Sequence, residues 1–228
     1  MPYTPMMSKK EIGVRRAWQD AGYLPMKDMP DVTVTSLGRK FIVPKEVHPP
    51  QPITILQRAI LREVMKTDRV LDMGTGSGVN AILAASKSSD VIAVDVNSFA
   101  VKCAKSNAKL NKVSSRVKVL ESDLFENVSG KFDLIIFDPP FRWFKPRDLR
   151  ERGTVDENFR SLRKFFKEVR KYLAPSGRIL ICYGMTGDLN YFQYLLKKSK
   201  FKAKVLNEKK LIRNGRKWMY YSYRLTSD

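Results

Sequence analysis

Asp138-Pro139-Pro140-Phe141 is the segment of this 228-residue chain with the clearest chemical content. It follows Phe132-Asp133-Leu134-Ile135-Ile136-Phe137, an apolar run of strand length. The residue before a proline is held extended, and two successive prolines fix the backbone beyond it. The loop therefore presents the Asp138 carboxylate, the Pro139 carbonyl and the flat Phe141 ring from a rigid support, with Pro140 stiffening the turn. Two neighbouring acceptors suit the two N–H hydrogens of an amine or amide nitrogen whose lone pair is delocalised. Holding that nitrogen favours its pyramidalisation as the pair attacks an electrophile, and positioning with electrostatics then carries most of the rate. The plainer reading is a proline-terminated strand with a structural turn.

A second set lies upstream. Val70-Leu71-Asp72-Met73-Gly74-Thr75-Gly76-Ser77-Gly78 ends one apolar run and opens a helical stretch at Asn80. Closely spaced glycines let backbone approach a ligand, and a helix N-terminus supplies free N–H groups. The pattern is Asp-x-Gly-x-Gly-x-Gly, and Val79 stands where a dinucleotide fingerprint needs its third glycine, so pyrophosphate binding is not the favoured reading. About twenty residues on, the next apolar run ends in Asp95, followed by Asn97, where an acid can bind ribose hydroxyls. A third run is followed by Glu121-Ser122-Asp123-Leu124, placing an acid where it can accept an adenine amine, with Leu124 packing nearby. One glycine loop alone reads as a turn. Three strand ends in register read as a nucleotide-type cofactor site.

These residues need a sheet to align them, and the chain has one in outline. Apolar runs at Val70-Leu71, Val91–Val94, Val117–Leu120, Leu134–Phe137 and Ile179–Cys182 alternate with helical stretches at Asn80–Ser86, Ser98–Leu110, Asp156–Leu173 and Leu189–Lys198. That alternation predicts an α/β fold, a Rossmann-like doubly wound and mostly parallel sheet. The tail departs from it. Lys202–Leu206 and Trp218–Leu225 read as two antiparallel strands at the C-terminal edge, joined by the basic segment Asn207–Lys217 with a turn at Asn214-Gly215. Ahead of the sheet, residues 1–52 read as an extension: a basic amphipathic helix over 8–22, a hairpin over Asp31–Val43 and a proline-broken stretch, Pro44–Pro52. Residues 53–228 form the main domain, opening with a helix over Ile53–Lys66.

Composition narrows the partners. Lys+Arg number 43 against Asp+Glu 23, a formal charge of +20. Most of the excess follows Pro139. A field of that sign attracts polyanions and points to a nucleic-acid partner, with a lysine-rich surface as the plainer reading. No apolar run reaches the ~20 residues of a membrane span, and Met1–Lys10 lacks the apolar stretch of a secretory signal. Cys103 and Cys182 read as reduced core residues of a cytoplasmic protein. His48 is the single histidine, so no metal site is expected and a His-based triad is excluded.

Over Lys66–Gly184 the chain resembles the class I S-adenosylmethionine-dependent methyltransferases, with their motifs in order. The resemblance implies that Gly74, Gly76 and Gly78 wrap the methionine part of S-adenosyl-L-methionine, that Asp95 holds the ribose and that Asp123 holds the adenine. Asp72, Thr75, Asn80, Asn97, Leu124 and Asp138 complete the implied cofactor set. Asp138–Phe141 is similar to the (Asp/Asn)-Pro-Pro-aromatic motif of amino-group N-methyltransferases, a group that includes adenine-N6, guanine-N2 and release-factor glutamine enzymes.

An Asp at the first motif position favours nucleobases, since the glutamine enzymes usually carry Asn. Arg142-Trp143-Phe144-Lys145-Pro146-Arg147-Asp148-Leu149-Arg150-Glu151-Arg152 then interleaves cations with aromatics, which suits phosphate contact with base stacking. Arg142, Trp143 and Lys145 are the expected substrate contacts there, and the plainer reading is a solvated loop with buried Trp143 and Phe144. Lys197, Lys198, Lys200, Lys202, Lys204, Lys209, Lys210, Arg213, Arg216 and Lys217 extend the basic face. Phe41–Pro52 looks like the segment preceding the cofactor loop in small-domain methyltransferases, which implies substrate contacts at His48 and Gln51; a local structural role for His48 is the alternative. The expected activity is methylation of an exocyclic amino group, adenine N6 or guanine N2, in rRNA or tRNA. DNA is disfavoured, because no separate target-recognition domain is visible. The alternatives are glutamine N5-methylation of a release factor or ribosome-associated protein, and a non-catalytic RNA-binding module on the same fold.

Overall fold

A computed structural model describes residues 3–50, 54–213 and 215–227. Helix α1 (Lys9–Tyr23) opens where the Ser8 hydroxyl accepts from Glu11 N at 3.2 Å and ends before Pro25. Strands β1 (Val32–Ser36) and β2 (Arg39–Val43) form the expected hairpin. Helix α2 (Ile55–Glu63) buries Ile55, Leu56, Ala59 and Ile60.

Five parallel strands follow: β3 (Arg69–Met73), β4 (Asp90–Asp95), β5 (Val117–Glu121), β6 (Phe132–Phe137) and β7 (Leu173–Gly184). Helices α3 (Val79–Ala84) and α4 (Ser98–Leu110) cover one face, and α5 (Arg160–Glu168) and α6 (Leu189–Lys198) cover the other. Strands β8 (Phe201–Arg213) and β9 (Arg216–Ser227) complete a seven-stranded sheet of order β5-β4-β3-β6-β7-β9-β8. β9 runs antiparallel to both of its neighbours, so it alone is reversed, one position in from the edge strand β8. The order reverses between β3 and β6, and Met73 pairs with Phe137. Gly74 and Asp138 therefore leave the sheet side by side at the switch point, where open α/β sheets bind ligands.

Two segments differ from expectation. The helix expected over Asp156–Leu173 is a 3₁₀ turn, the nine-residue α5 and a second 3₁₀ turn, with Leu173 already in β7. Asp156 causes the late start, because its carboxylate accepts from Ser161 N at 3.0 Å and Leu162 N at 3.1 Å. The basic Asn207–Lys217 stretch is not a connecting loop: through Arg213 it continues β8, and from Arg216 it is already β9. Leu211 and Trp218, a cross-strand pair, pack on the face that α2 covers and hold the hairpin together to its tip.

Residues before α2 join both cores. Phe41 and Val43 pack with α4, where Asn107 bonds both the N–H and the carbonyl of Ile42. Trp18 lies 5.0 Å from Trp218. Tyr3 enters the opposite core and donates to Asp188. Among the described residues, no helix is long and apolar enough to cross a membrane.

Candidate active site

One cleft of about 1240 Å³ runs along the carboxyl ends of β3, β4 and β6. That exceeds the roughly 300–1,000 Å³ of a single small-ligand site, leaving room for a cofactor and a target group together.

At its cofactor end, Thr75 N donates to Val94 O at 2.9 Å and Gly76 N to Asp95 Oδ2 at 2.8 Å, tying the glycine loop to β4. Asp95 Oδ1 accepts from Asn97 N at 2.9 Å. Each Asp95 oxygen keeps acceptor capacity facing the cleft, as ribose hydroxyls require. Burial raises the Asp95 pKa. Gly76 sits at φ +54 with no atom within 4 Å of where a Cβ would stand, so the loop leaves open space on its ligand side. Asp123 and Leu124 line the next strand end, where Arg160 and Lys164 stand 3.8 and 3.9 Å from the Asp123 carboxylate. This lining of carboxylate acceptors, open glycine backbone and a buried Leu124 fits an adenosine with an amino-acid tail.

Two expected cofactor residues lie beneath the loop and do not line the cleft. Asp72 is fully buried, with Oδ2 accepting from Thr75 Oγ1 at 2.6 Å and from Ala81 N at 3.1 Å. Its Oδ1 has no partner, and burial pushes the carboxyl pKa up to about 7. Gly78, at φ +85, faces Ala104 of α4, where a Cβ would come within 3.1 Å of backbone. Both residues shape the loop from behind. Asn80 does line the cleft, and its Oδ1 accepts from Gln57 Nε2 at 3.4 Å. Asn97 lines it too, donating to Glu46 O.

Asp138, Pro139, Pro140 and Phe141 form the middle of the cleft. Water reaches the Asp138 carboxylate through the opening, yet the group lies deep in the protein. Burial pushes its pKa up to about 6, against the Cys182 thiol, which donates to it, and the Arg142 charge. The Phe141 ring leans on Tyr183 at 5.0 Å and Tyr220 at 6.3 Å.

The far end of the cleft collects residues from outside the sheet motifs. His48 lines it against Gly153, where a Cβ would meet the His48 Cβ at 2.7 Å. Burial lowers the His48 pKa to about 3, so the imidazole is neutral and a poor base. Arg142 also lines this end, and Gln51 lies outside the described residues. The expected contacts Trp143 and Lys145 do not line the cleft. Trp143 is buried in an aromatic cluster with Tyr3, Phe144 and Phe159, and Lys145 points to solvent. The isolated bridge Arg142↔Val155 turns the chain there, sending Trp143 inward.

The cleft also holds residues that sequence patterns did not single out for it. Cys182 follows Ile181, the partner of Phe137, so it stands beside Asp138; its apolar surroundings in sequence marked it only as core. Tyr220 reaches in from β9. Asn158 enters from a left-handed turn, φ 56 followed by Phe159 at φ 53, held by Asn158 N to Trp143 O at 3.1 Å. A non-glycine pair in that region has no sequence signature and carries strain.

A doubly wound, mostly parallel sheet with a glycine loop and strand-end acids around one switch-point cleft is the architecture of the class I S-adenosylmethionine-dependent methyltransferases. The chain belongs to the methyltransferase small domain family, whose model matches residues 54–212. It is 46% identical over 162 residues to a Methanocaldococcus jannaschii protein whose name, protein N5-glutamine methyltransferase, is itself provisional. That match covers 66% of this chain and 79% of the relative. Among solved structures, a tRNA m1G37 methyltransferase of M. jannaschii superposes with a TM-score of 0.65 at 19% identity, over 88% of this chain and 58% of that one. The 16S rRNA N2 G1207 methyltransferase of Thermus thermophilus, determined with cofactor and guanosine, gives 0.62 at 18% identity, over 87% and 50%. At those identities the structures establish the fold. The chain spans about half the length of each.

Proposed function

We propose that this methyltransferase acts on an exocyclic amino group of a base, adenine N6 or guanine N2, in rRNA or tRNA. The observation that carries the reading is the pairing of an Asp-Pro-Pro-Phe loop with a cleft lined by arginines from several segments, Arg142, Arg152, Arg160, Arg163 and Arg213. A neutral amide side chain needs no such field. A polyanion does.

S-adenosyl-L-methionine supplies an electrophilic methyl group on a sulfonium. Gly74, Thr75, Gly76, Asn80, Asp95, Asn97, Asp123 and Leu124 are the cleft residues that would hold it. The Asp138 carboxylate and Pro139 carbonyl would accept the two N–H hydrogens of the target amine, directing its lone pair towards the cofactor end. Phe141 offers its ring to the plane of the base. As the nitrogen gains positive charge, the ionised Asp138 stabilises it and is the nearest acceptor for the released proton. His48, already neutral, would contact the substrate as a hydrogen-bonding group.

A second reading, glutamine N5-methylation of a release factor or ribosome-associated protein, is favoured by the 46% identical relative. Incubation with labelled cofactor and total RNA or protein, followed by mass spectrometry of the modified residue, separates the two. Label in N6-methyladenosine or N2-methylguanosine is expected. Label in protein glutamine alone sinks the RNA reading.

A further inference from the structure

Several arginines of this protein are matched with carboxylates: Arg147 with Glu151, Arg178 with Asp68, Arg216 with Glu11 and Arg224 with Glu63. Among the described residues, Arg142, Arg152, Arg163 and Arg213 line the cleft without such a partner, and two of them, Arg142 and Arg213, are held in place by other contacts. Each is instead locked by a neutral acceptor and an aromatic ring. Arg142 Nη1 donates to Thr186 Oγ1 at 3.2 Å, with the guanidinium 5.3 Å from the Phe141 centroid. Arg213 Nη2 donates to Ala21 O at 3.0 Å, with its guanidinium 4.7 Å from the Trp18 centroid.

Tyr220 lines the same cleft, and the charges of both guanidinium groups lower its pKa against burial, which raises it. Arg142 is the more deeply set, and its Nε is buried with no hydrogen-bond partner. A desolvated guanidinium is costly unless an anion faces its accessible edge. Burial lowers the Arg142 pKa, and the nearby Tyr220, Glu151 and Asp138 only partly oppose it. Planar guanidinium groups fixed against rings match the oxygens of a phosphodiester.

We propose that Arg142 and Arg213 form a clamp for backbone phosphates next to the target nucleotide of an RNA strand. The clamp rests on the RNA reading above. It adds which residues seat the strand, and it gives the N-terminal helix a role, because α1 supplies the Trp18 ring and the Ala21 carbonyl that hold Arg213.

The test is salt-dependent binding of a short fluorescent single-stranded RNA to the full chain, alongside calorimetric binding of S-adenosyl-L-methionine. Arg213→Gln and Arg142→Gln are each expected to weaken RNA binding about tenfold. Each should also lower the slope of log affinity against log salt by about 0.7 for every phosphate no longer neutralised. Cofactor affinity should stay unchanged, and Lys118→Gln on the distant β5 edge should change the RNA slope far less. If Arg142→Gln fails to fold, Arg213→Gln, nearer the surface, decides alone. Wild-type slopes in the variants, or a loss of cofactor affinity in step with RNA affinity, would overturn the clamp. Arginine-dependent RNA binding with methyl label confined to protein would overturn the substrate reading and leave the clamp standing; RNA methylation with unchanged slopes would overturn the clamp alone.

Discussion

The Cys182 side chain stands beside the Asp138 carboxylate at the ends of two adjacent parallel strands, β6 and β7, where its thiol holds the Asp138 pKa down against burial. A thiol with its own pKa raised far by burial remains a donor throughout the working range. It therefore favours the ionised form of Asp138, as does Arg142, while burial opposes both. With the Asp138 pKa at about 6, activity should fall below that pH as the carboxylate is protonated and stops accepting. Cys182→Ala removes a donor worth about 1 kcal/mol, so the acid limb of kcat/KM should move up by about 0.7 in pH. Cys182→Ser keeps a donor and should restore it. Asp72, whose pKa is raised to about 7, needs its own control, and Asp72→Asn should leave the cysteine effect intact. His48, at about 3, titrates too low to contribute. Equal limbs in wild type and Cys182→Ala would show that Asp138 ionisation does not govern the rate.

Asp138→Ala removes one of the two acceptors proposed for the target amine. The expected loss is about 10²-fold or more in kcat, with cofactor affinity near wild type, because the residues proposed to hold the ribose and the methionine part lie elsewhere in the cleft. Asp138→Asn keeps one oxygen acceptor and should fall between. Single-turnover methylation with calorimetric cofactor binding measures both. Turnover of Asp138→Ala close to wild type would remove the carboxylate from the mechanism.

Much of this site was legible because it follows strand ends. The apolar runs carried β3 to β6 almost to the residue, so Gly74, Asp95, Asp123 and Asp138 could be placed in one crevice from the sequence. Distinguishing residues that line the crevice from those that support it was harder. Asp72 and Gly78 belong to the same motif as Gly76, yet the loop turns them inward, which depends on left-handed backbone at Gly74, Gly76 and Gly78. Trp143 looked like a stacking platform in a basic stretch and is a core aromatic, because Tyr3, more than a hundred residues away in sequence, completes its pocket. Arg142 and Arg213 stood among many cations. Their places in the cleft, each guanidinium held against an aromatic ring, separate these two, and both features are tertiary.

Gly187 permits the placement of the Asp-Pro-Pro-Phe loop. A Cβ there would lie 2.3 Å from the Phe141 carbonyl oxygen, a backbone atom with no rotamer to yield. Gly187→Ala should therefore displace Phe141 and the acceptors before it. Misplacement on the scale of 1 Å lowers rates by up to about 10²-fold, so kcat should drop while cofactor binding, at the other end of the cleft, stays close to wild type. Parallel loss of both would instead indicate a folding defect and would separate this glycine from the chemistry.

Arg178 and Asp68 join β7 to the turn before β3 beneath the site. Arg178 Nη2 donates to Asp68 Oδ2 at 2.8 Å and Nη1 to Oδ1 at 3.2 Å, and the same guanidinium also serves the carbonyls of Asp133 and Glu63. Asp68 is 2% exposed, and its remaining donor is Met65 N at 2.7 Å. Arg178→Met strands a buried carboxylate, which costs about 3–5 kcal/mol. For a chain of this size that corresponds to a Tm loss of roughly 6–20 °C. Adding Asp68→Asn removes the stranded charge while keeping an oxygen for Met65 N, so the double variant should be more stable than Arg178→Met alone. Thermal unfolding at neutral pH measures the series. A double variant no more stable than the single one would mean that packing around Arg178, and not its charge, holds β7 against β3.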